Sequence, residues 1–557
     1  MIESMKQQIK QTIESEFNIE GVVVEEPKKG NADLAIPLFT FVKLWSTTPI
    51  SVYDRFKSVI EHRFPIEKIE FIAGFLNIFL KRESLSEQIV KSICQGSSTY
   101  GNLTYGRGTT IVMDYSSPNI AKSFGVGHLR STMIGNALRN IYQKCGFDVV
   151  GINHLGDWGT QFGKMIVAYK MWGNDEEIKQ NPIMELQKLY LRFHDAEKEN
   201  PSLEQEARDV FRALEQGDLE YLRLWQWFKD ESMKEFMEMY QLLNVSFESY
   251  DGESFYNDKM DAVVLELEQK GLLKVDDGAT IVDLGESLPP ALIKKSDGAT
   301  LYITRDLAAI LYRHQTYQTR KILYVVGNEQ QLHFKQLQVL TNLMGYSFEI
   351  NHVNFGLVLI DGKKMSTRSG KFKRLEDVIV QAIHDAKKAI IEKNPGLKDH
   401  DQVAKTVGIG AIIFNDLKNE RHLDVDFNLE NMLKFEGQTG PYLQYSSVRI
   451  QSILKDQTID ESMMSSSIYT EDHYFEVIKL MAQFPTIIRR AQEGNAPNLI
   501  ARYILTLAQS FNSFYGKQRI IVEDDRQRNT NLYFVKAIQI VINEGLRILG
   551  IQALEEM

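Results

Sequence analysis

Two side chains able to bind phosphate lie in one short, glycine-containing run of the chain. Lys122 and His128 can both donate hydrogen bonds to phosphate oxygens, and Gly125 and Gly127 lie between them. Because glycine has no Cβ, a flat or charged ligand can approach the backbone closely at both positions. A Gly-x-Gly-His turn alone is compatible with many roles, but its combination with Lys122 indicates a site for a phosphate-bearing ligand.

The residues around this run predict a strand, a turn and a helix that position it. A β-branched run over 109–112 is typical of a buried strand. Apolar residues from Leu129 to Ile141 recur at helical spacing. Such a junction directs backbone N–H groups and the positive end of a helix dipole at a ligand. A second strand is predicted over 148–153, and the loop 154–163 that follows it should face the same crevice.

Further along the chain, the pattern predicts the second half of the same parallel-sheet fold. A polar, helical stretch over about 165–290 forms an insertion, and strands are predicted over 321–326 and 355–360. The loop after the second strand contains four cations within a short Gly- and Ser-containing segment, namely Lys363, Lys364, Arg368 and Lys371. This loop suits a polyanion, although a solvated basic turn is the commoner meaning of such a run.

The helix predicted after residue 301 begins with two residues whose side chains suit a cationic ligand. Tyr302 and Asp306 are four residues apart, so they face one side of the helix together. A carboxylate there can bind a guanidinium group, and Tyr302 can form a wall of the pocket. The alternative is a carboxylate that faces the helix dipole and a tyrosine that belongs to the core.

Several motifs of the chain resemble those of one enzyme family. Ser117-Pro-Asn-Ile-Ala-Lys122, the following Gly-His-Leu-Arg-Ser-Thr132 and the basic loop Asp361-Gly-Lys-Lys-Met-Ser366 resemble the two ATP-binding signatures of class I aminoacyl-tRNA synthetases, in the wording of the arginyl-tRNA synthetases. The runs 31–36 and 73–78 resemble the N-terminal domain of that family, which binds the tRNA elbow. Gly440-Pro-Tyr-Leu-Gln-Tyr445 and the closing run 549–557 resemble its helical anticodon-binding domain.

The resemblance implies ligation of L-arginine to tRNA(Arg) through arginyl-adenylate, with transfer to the 2′-hydroxyl of the terminal adenosine. The residues that it implies for catalysis are Lys122, His128, Lys364 and Arg368. Those that it implies for ATP binding are Gly125, Gly127, His128, Lys363, Lys364, Met365 and Ser366. Those that it implies for arginine binding are Asp114, Asn119, Tyr302, Asp306, Gln330 and His154. Those that it implies for tRNA binding are Tyr445, Tyr515 and Met557, whose aromatic members could instead belong to a buried core.

Two positions depart from the family pattern. Gly125 stands where the family usually carries the first His of His-x-Gly-His, and Thr367 stands where class I enzymes commonly carry a Lys. Lys122 resembles the usual compensation for the second departure. Loss of one transition-state donor costs on the order of 10²–10³ in rate. A paralogue that binds tRNA or arginine without efficient charging is therefore the alternative function.

Size and composition set the remaining expectations. A chain of 557 residues is too long to fold around a single hydrophobic core. We therefore expect three domains: an N-terminal α/β domain over 1–108, a Rossmann-like catalytic domain over 109–385 with the insertion, and an all-α bundle over 386–557. Two cysteines and no apolar run long enough to span a bilayer predict a cytoplasmic protein without a structural metal or membrane partner. A net charge of −10 leaves local basic patches possible. We expect Mg²⁺ bound with ATP, a monomer, and no DNA partner.

Overall fold

A computed structural model describes residues 2–27, 32–296, 302–360, 362–364 and 375–557. The N-terminal part consists of α1 (Ile2–Phe17), β1 (Leu34–Pro37), α2 (Phe39–Leu44), α3 (Pro49–Ile60), β2 (Ile66–Ile72), β3 (Phe75–Leu80) and α4 (Arg82–Gly96). Its antiparallel sheet has the order β1-β3-β2. The chain reverses between β2 and β3 at Gly74, which has a φ of +84°.

The central sheet is parallel, and it confirms the predicted α/β core. It contains β4 (Thr110–Asp114), β5 (Asp148–Ile152), β9 (Lys321–Tyr324) and β10 (Glu349–His352) in the order β10-β9-β4-β5. The helix α5 (Val126–Lys144) connects β4 to β5, and α12 (Tyr302–Tyr317) and α13 (Gln331–Leu343) flank β9. Strand order reverses between β4 and β9, so the crevice at their carboxyl ends is the expected ligand site.

The insertion is helical over most of its length. It contains α6 (Thr160–Trp172), α7 (Asp175–Gln180), α8 (Pro182–Glu199), α9 (Ser202–Glu215), α10 (Leu219–Leu243) and α11 (Met260–Gln269). An antiparallel sheet of β6 (Leu273–Asp276), β7 (Ala279–Val282) and β8 (Ala291–Lys294) then follows. The prediction that the insertion is helical as far as residue 290 was therefore wrong for its last part, which forms strands from Leu273 onward.

The strand predicted over 355–360 does not join the parallel sheet, apart from an isolated parallel bridge between Phe355 and Gly327. Only its last three residues form a strand, β11 (Val358–Ile360), which pairs with β12 (Lys363–Lys364) and with β13 (Val425–Asp426) in a separate small sheet. The edge position of the parallel sheet is taken by β10, which the sequence pattern did not reveal. β13 belongs to the helical C-terminal part, so this small sheet connects that part to the start of the basic loop.

The C-terminal part is the predicted helical bundle. It contains α14 (Leu375–Lys393), α15 (His400–Leu417), α16 (Leu429–Met432), α17 (Gly440–Leu454), α18 (Asp472–Ala482), α19 (Phe484–Glu493), α20 (Pro497–Tyr515) and α21 (Asp525–Ile548). Proline at the first turn starts α17, α19 and α20. None of the described helices combines the length and apolar content that crossing a bilayer requires.

Two buried ion pairs join the helix α5 to the bundle. Arg130 Nε donates to Asp416 Oδ1 at 2.9 Å, and both side chains are 1% exposed. The Arg130 guanidinium also donates to the carbonyls of Gly356, Arg421 and Leu423. Lys144 Nζ lies 2.7 Å from Glu544 Oε1 in α21. These contacts hold α5 against the bundle, and removal of one partner from either pair would leave an unpaired charge in a dry interior.

Candidate functional site

The turn between β4 and α5 is strained, and three hydroxyl or amide groups hold it. Its non-glycine residues with positive φ are Ser116 (+75°), Ser117 (+50°) and Ala121 (+60°). Ser131 Oγ accepts from the Ser116 N–H at 2.9 Å, and Asn153 Oδ1 accepts from the Ser117 N–H at 3.2 Å. Ser232 Oγ of α10 accepts from the Ala121 N–H at 2.9 Å. Strain that the surroundings enforce in this way is typical of ligand sites.

His128 is held as a neutral hydrogen-bond donor at the start of α5. Its Nδ1 accepts the N–H of Gly125 at 3.2 Å, so Nε2 carries the proton of the neutral ring. Burial, and after it the charge of Lys122, lowers the pKa of His128 to about 4. Burial also lowers the pKa of Lys122, while Glu253 opposes that effect. A Cβ added to Gly127 would meet nothing within 4 Å, so the space beside this backbone is open.

A buried arginine that the sequence analysis did not single out lies at the carboxyl ends of β4 and β9. Arg313 Nη1 donates to Asp114 Oδ2 at 2.8 Å and to Tyr324 Oη at 3.0 Å. Its Nη2 lies 3.1 Å from His154 Nδ1. Ser117 Oγ donates to the other Asp114 oxygen at 2.9 Å. Asp114 and His154 are therefore brought together, as expected, but Arg313 lies between them.

Burial and the adjacent Arg313 cation both lower the pKa of His154, and Asp114 only partly opposes them. A neutral imidazole whose Nδ1 accepts from Arg313 keeps its Nε2–H as a donor. Arg313 follows Asp306 by seven residues, two helical turns along α12, so the two lie on the same face. That spacing was the only sequence signal for Arg313.

Asp306 lies near the start of α12 and contacts the neighbouring helix α13. His333 Nε2 of α13 lies 2.6 Å from Asp306 Oδ2, and the carboxylate remains one-third exposed. Burial favours a raised pKa for Asp306, but the hydrogen bond and charge of His333, with smaller contributions from His154 and Arg313, outweigh it and the pKa is lowered. Asp306 is thus an ionised carboxylate open to solvent at neutral pH. Tyr302, one turn before it, is 71% exposed.

The other two expected arginine-binding residues lie at the ends of neighbouring loops. Asn119 forms a parallel bridge with Gly156 of the loop after β5. A Cβ at Gly156 would lie 2.2 Å from Asn119 Oδ1, so any other residue there would displace the Asn119 side chain. Gln330 is exposed in the short 3₁₀ turn before α13, three residues ahead of His333. Both residues border the crevice between β4 and β9.

A carboxylate from the insertion also reaches this region and was missed by the sequence analysis. Glu253 Oε2 lies 3.5 Å from Arg305 Nη1, one residue before Asp306. Burial raises the pKa of Glu253 to about 7, while the charge of Arg305 opposes that rise. Neither residue stands in a motif, so no signal in the sequence marked them.

The basic loop is largely outside the described residues. The backbones of Lys363 and Lys364 are described and form β12, but their side chains are not described. Met365, Ser366 and Arg368 lie outside the described residues. In the described part of the chain, no group of three or more His, Cys, Asp or Glu side chains could hold a metal ion.

The aromatic residues expected to bind tRNA come together on the bundle. Tyr445 of α17 and Tyr515 of α20 are 38% and 41% exposed. The Arg449 guanidinium lies 4.9 Å from the centre of the Tyr445 ring and 5.6 Å from that of Tyr515. Exposed rings beside a cation suit stacking on nucleobases. Met557 is elsewhere on the bundle, where its carbonyl accepts from Asn394 Nδ2 at 3.2 Å.

Family models match three consecutive parts of the chain. A model described as tRNA synthetases class I (R), catalytic domain, matches residues 89–429. The DALR anticodon binding domain matches residues 443–557, and the arginyl tRNA synthetase N terminal domain matches residues 2–80.

Curated relatives and solved structures agree with these models. An arginine–tRNA ligase of Exiguobacterium sibiricum is 49% identical over 539 residues, covering 96% of this chain and 95% of the relative. The enzyme of Ligilactobacillus salivarius is 45% identical and covers 99% of each chain. The crystal structure of arginyl-tRNA synthetase from Plasmodium falciparum has the same fold, with a TM-score of 0.82 at 24% identity over 100% of this chain and 99% of that chain. The Thermus thermophilus arginyl-tRNA synthetase also gives 0.82, at 23% identity over 100% of both chains.

Proposed function

The chain belongs to the class I arginyl-tRNA synthetases, and we propose how its own residues carry out the two steps of arginine charging. Ligation of arginine to tRNA at the cost of ATP is its function. The observation that carries the residue assignment is the crevice between β4 and β9. There an ionised, partly exposed carboxylate at Asp306 interacts with the neutral donor His154, and the neutral donor His128 stands at the start of α5, which follows β4.

In the first step, a carboxylate oxygen of arginine bonds to the α-phosphorus of ATP and the bond to the β-phosphate breaks, releasing pyrophosphate. In the second, the 2′-hydroxyl of the terminal adenosine of tRNA attacks the arginyl carbonyl, and AMP leaves. Such chemistry depends on positioning the reactants and on hydrogen-bond donors directed at the negative charge that develops in the transition state. We assign these donors to His128, through Nε2–H, and to Lys122, Lys364 and Arg368.

For arginine binding, we assign the substrate guanidinium to Asp306. The carboxylate is fixed by His333 and has a second oxygen available, and Tyr302 stands one turn away to cover the side chain. Both oxygens of Asp114 already accept hydrogen bonds, so we propose that Asp114 acts mainly by holding Arg313 and the strained turn in place. Asn119, Gln330 and His154 supply the remaining polar contacts.

For ATP, we propose that the adenine lies on the open backbone at Gly127, beside Gly125 and His128. Lys363, Lys364, Met365 and Ser366 are assigned to the phosphates. Mg²⁺ bound with ATP would neutralise phosphate charge.

For tRNA, we propose that residues 1–108 bind the elbow, that 109–385 are catalytic, and that 386–557 bind the anticodon through Tyr445, Tyr515 and the C-terminal Met557. We further propose that the protein acts as a monomer. The translation enzymes among its relatives support action in the cytoplasm.

The test is ATP–pyrophosphate exchange with each of the twenty amino acids, with and without tRNA. We expect exchange with arginine and with no other amino acid, and only when tRNA is added, together with arginylation of tRNA(Arg). Gly125→His should raise the rate if the missing donor limits catalysis. Binding of arginine and tRNA without exchange would instead identify the non-charging paralogue, an alternative that none of the relatives supports.

A further inference from the structure

One face of α10, a helix of 25 residues in the insertion, packs against the strained turn before α5. Ser232, Phe236 and Tyr240 follow one another at intervals of four residues, so they lie on one side of the helix. All three side chains are fully buried. Ser232 Oγ accepts from the Ala121 N–H at 2.9 Å, and the ring centres of Phe236 and Phe124 are 5.9 Å apart. The insertion therefore supports the turn that precedes the proposed nucleotide site.

Tyr240 connects this face of α10 to three other elements through its hydroxyl group. The hydroxyl accepts from Asn153 Nδ2, which follows β5, at 2.8 Å. It also lies 2.8 Å from Ser116 Oγ in the strained turn. Thr132 Oγ1 of α5 in turn lies 2.8 Å from Ser116 Oγ and 2.8 Å from the carbonyl oxygen of His128. A continuous chain of buried hydrogen bonds thus leads from the end of β5 to the first turn of α5.

One placement of the hydroxyl protons satisfies every contact in this chain. A carbonyl oxygen only accepts and a hydroxyl has one proton, so Thr132 donates to His128 and Ser116 donates to Thr132. Because the amide Nδ2 of Asn153 only donates, the Tyr240 hydroxyl accepts from it and donates to Ser116. Hydrogen bonds arranged head to tail in a dry interior strengthen one another. Removal of the Tyr240 hydroxyl would therefore interrupt the chain at its middle.

We propose that Tyr240 is a positioning residue for adenylate formation, which holds the first turn of α5, and with it His128, against the strained turn. Phe124 adds to the same arrangement, because its ring centre lies 5.5 Å from that of His128 and 5.7 Å from that of Tyr240. The Tyr240 side chain is 0% exposed, so it acts through His128 and not by contact with a substrate. This inference rests on the proposed role of His128 and extends it to a residue of the insertion.

The test is Tyr240→Phe, which removes only the hydroxyl and keeps the ring that packs on Phe124. Complete loss of an oriented donor costs on the order of 10²–10³ in rate, and a displaced His128 keeps part of that contribution. At saturating arginine, ATP and tRNA, the kcat of ATP–pyrophosphate exchange should therefore fall about 10–30-fold. KM for arginine should change less than about 3-fold, because the proposed guanidinium contact is with Asp306.

A double-mutant cycle with His128→Ala separates positioning of His128 from a general loss of structure. If Tyr240 acts through His128, Tyr240→Phe should lower kcat less than about 2-fold once His128 is absent. Thr132→Val breaks the same chain at another hydroxyl and should give the same result in both backgrounds, even if Tyr240→Phe folds poorly. An unchanged kcat in Tyr240→Phe, or an equal loss with and without His128, would overturn the proposal.

The matched control is Tyr469→Phe in the bundle. Tyr469 is as fully buried as Tyr240, and its hydroxyl donates to the carbonyl of Thr530 at 3.1 Å. Its melting temperature should fall about as far as that of Tyr240→Phe, while its kcat should equal that of wild type. Equal losses of kcat in the two variants would overturn the proposal. A wild-type protein without arginine-dependent exchange would contradict the proposed function instead.

Discussion

Asp306→Ala should weaken arginine binding far more than ATP binding. A hydrogen bond to a charged group contributes about 1.5–3 kcal/mol. One Asp306 oxygen is already engaged by His333 at 2.6 Å, so the substrate gains one strong contact rather than a full bidentate pair. We therefore take about 2 kcal/mol, which corresponds to about a 30-fold rise in KM for arginine.

The assay is tRNA-dependent ATP–pyrophosphate exchange, in which KM is measured separately for arginine and for ATP. The KM for ATP should change less than about 3-fold, because no contact of Asp306 with the nucleotide is proposed. Asp306→Asn, which keeps the size and an acceptor for His333, should show most of the same loss because the charge is gone. Asp261→Ala, which removes an exposed carboxylate from α11, serves as the control. Equal rises in both KM values would refute the pocket assignment.

Three further predictions follow from single contacts. Gly127→Ala should leave the melting temperature intact, since its Cβ meets open space, while raising KM for ATP at least about 5-fold by occupying the space for adenine. Arg130→Met should destabilise the protein by about 3–5 kcal/mol in urea titrations because Asp416 stays buried without its partner, and adding Asp416→Asn should recover part of the loss. Burial raises the pKa of Glu253 to about 7, so the folded state binds its proton more tightly than the unfolded state and loses stability as pH rises from about 4.5 to 7. Glu253→Gln should remove that dependence and be more stable at pH 8 by up to about 3 kcal/mol, but not at pH 4.

The parallel core could be predicted because its strands are marked by strong local patterns. The β-branched run before Asp114 and the apolar spacing of α5 agree with each other and with the turn residues between them. By contrast, β6, β7, β8 and β10 have only four residues each, several of them exposed. In such short strands the alternation of polar and apolar residues is too brief to detect. Whether they form strands depends on pairing with segments that are distant in the sequence.

The site shows the same division between local and non-local signals. Tyr302 and Asp306 were found because helical spacing alone places them together. Arg313 and Glu253 were missed because arginine and glutamate in helical or polar stretches are usually solvated. Only the fold brings Arg313 beneath Asp114 or Glu253 against Arg305. Burial of a charged side chain is thus the property that the sequence conceals most completely.

Two residues of the first ATP-binding signature, His128 and Arg130, lie in different environments although they belong to one motif. His128 and Arg130 are two residues apart on α5, so they face nearly opposite sides of the helix. His128 borders the crevice, whereas Arg130 is buried against Asp416 and three carbonyls at the base of the bundle. The same six-residue run, 127–132, therefore contains the donor that we propose for the nucleotide and the arginine that anchors its helix to the bundle. Because the carbonyl of Gly356 belongs to the segment leading into β11, Arg130 also ties α5 to the strand that precedes the basic loop. A substitution at Arg130 should thus alter activity through the position of both phosphate-binding elements, and not through contact with either substrate.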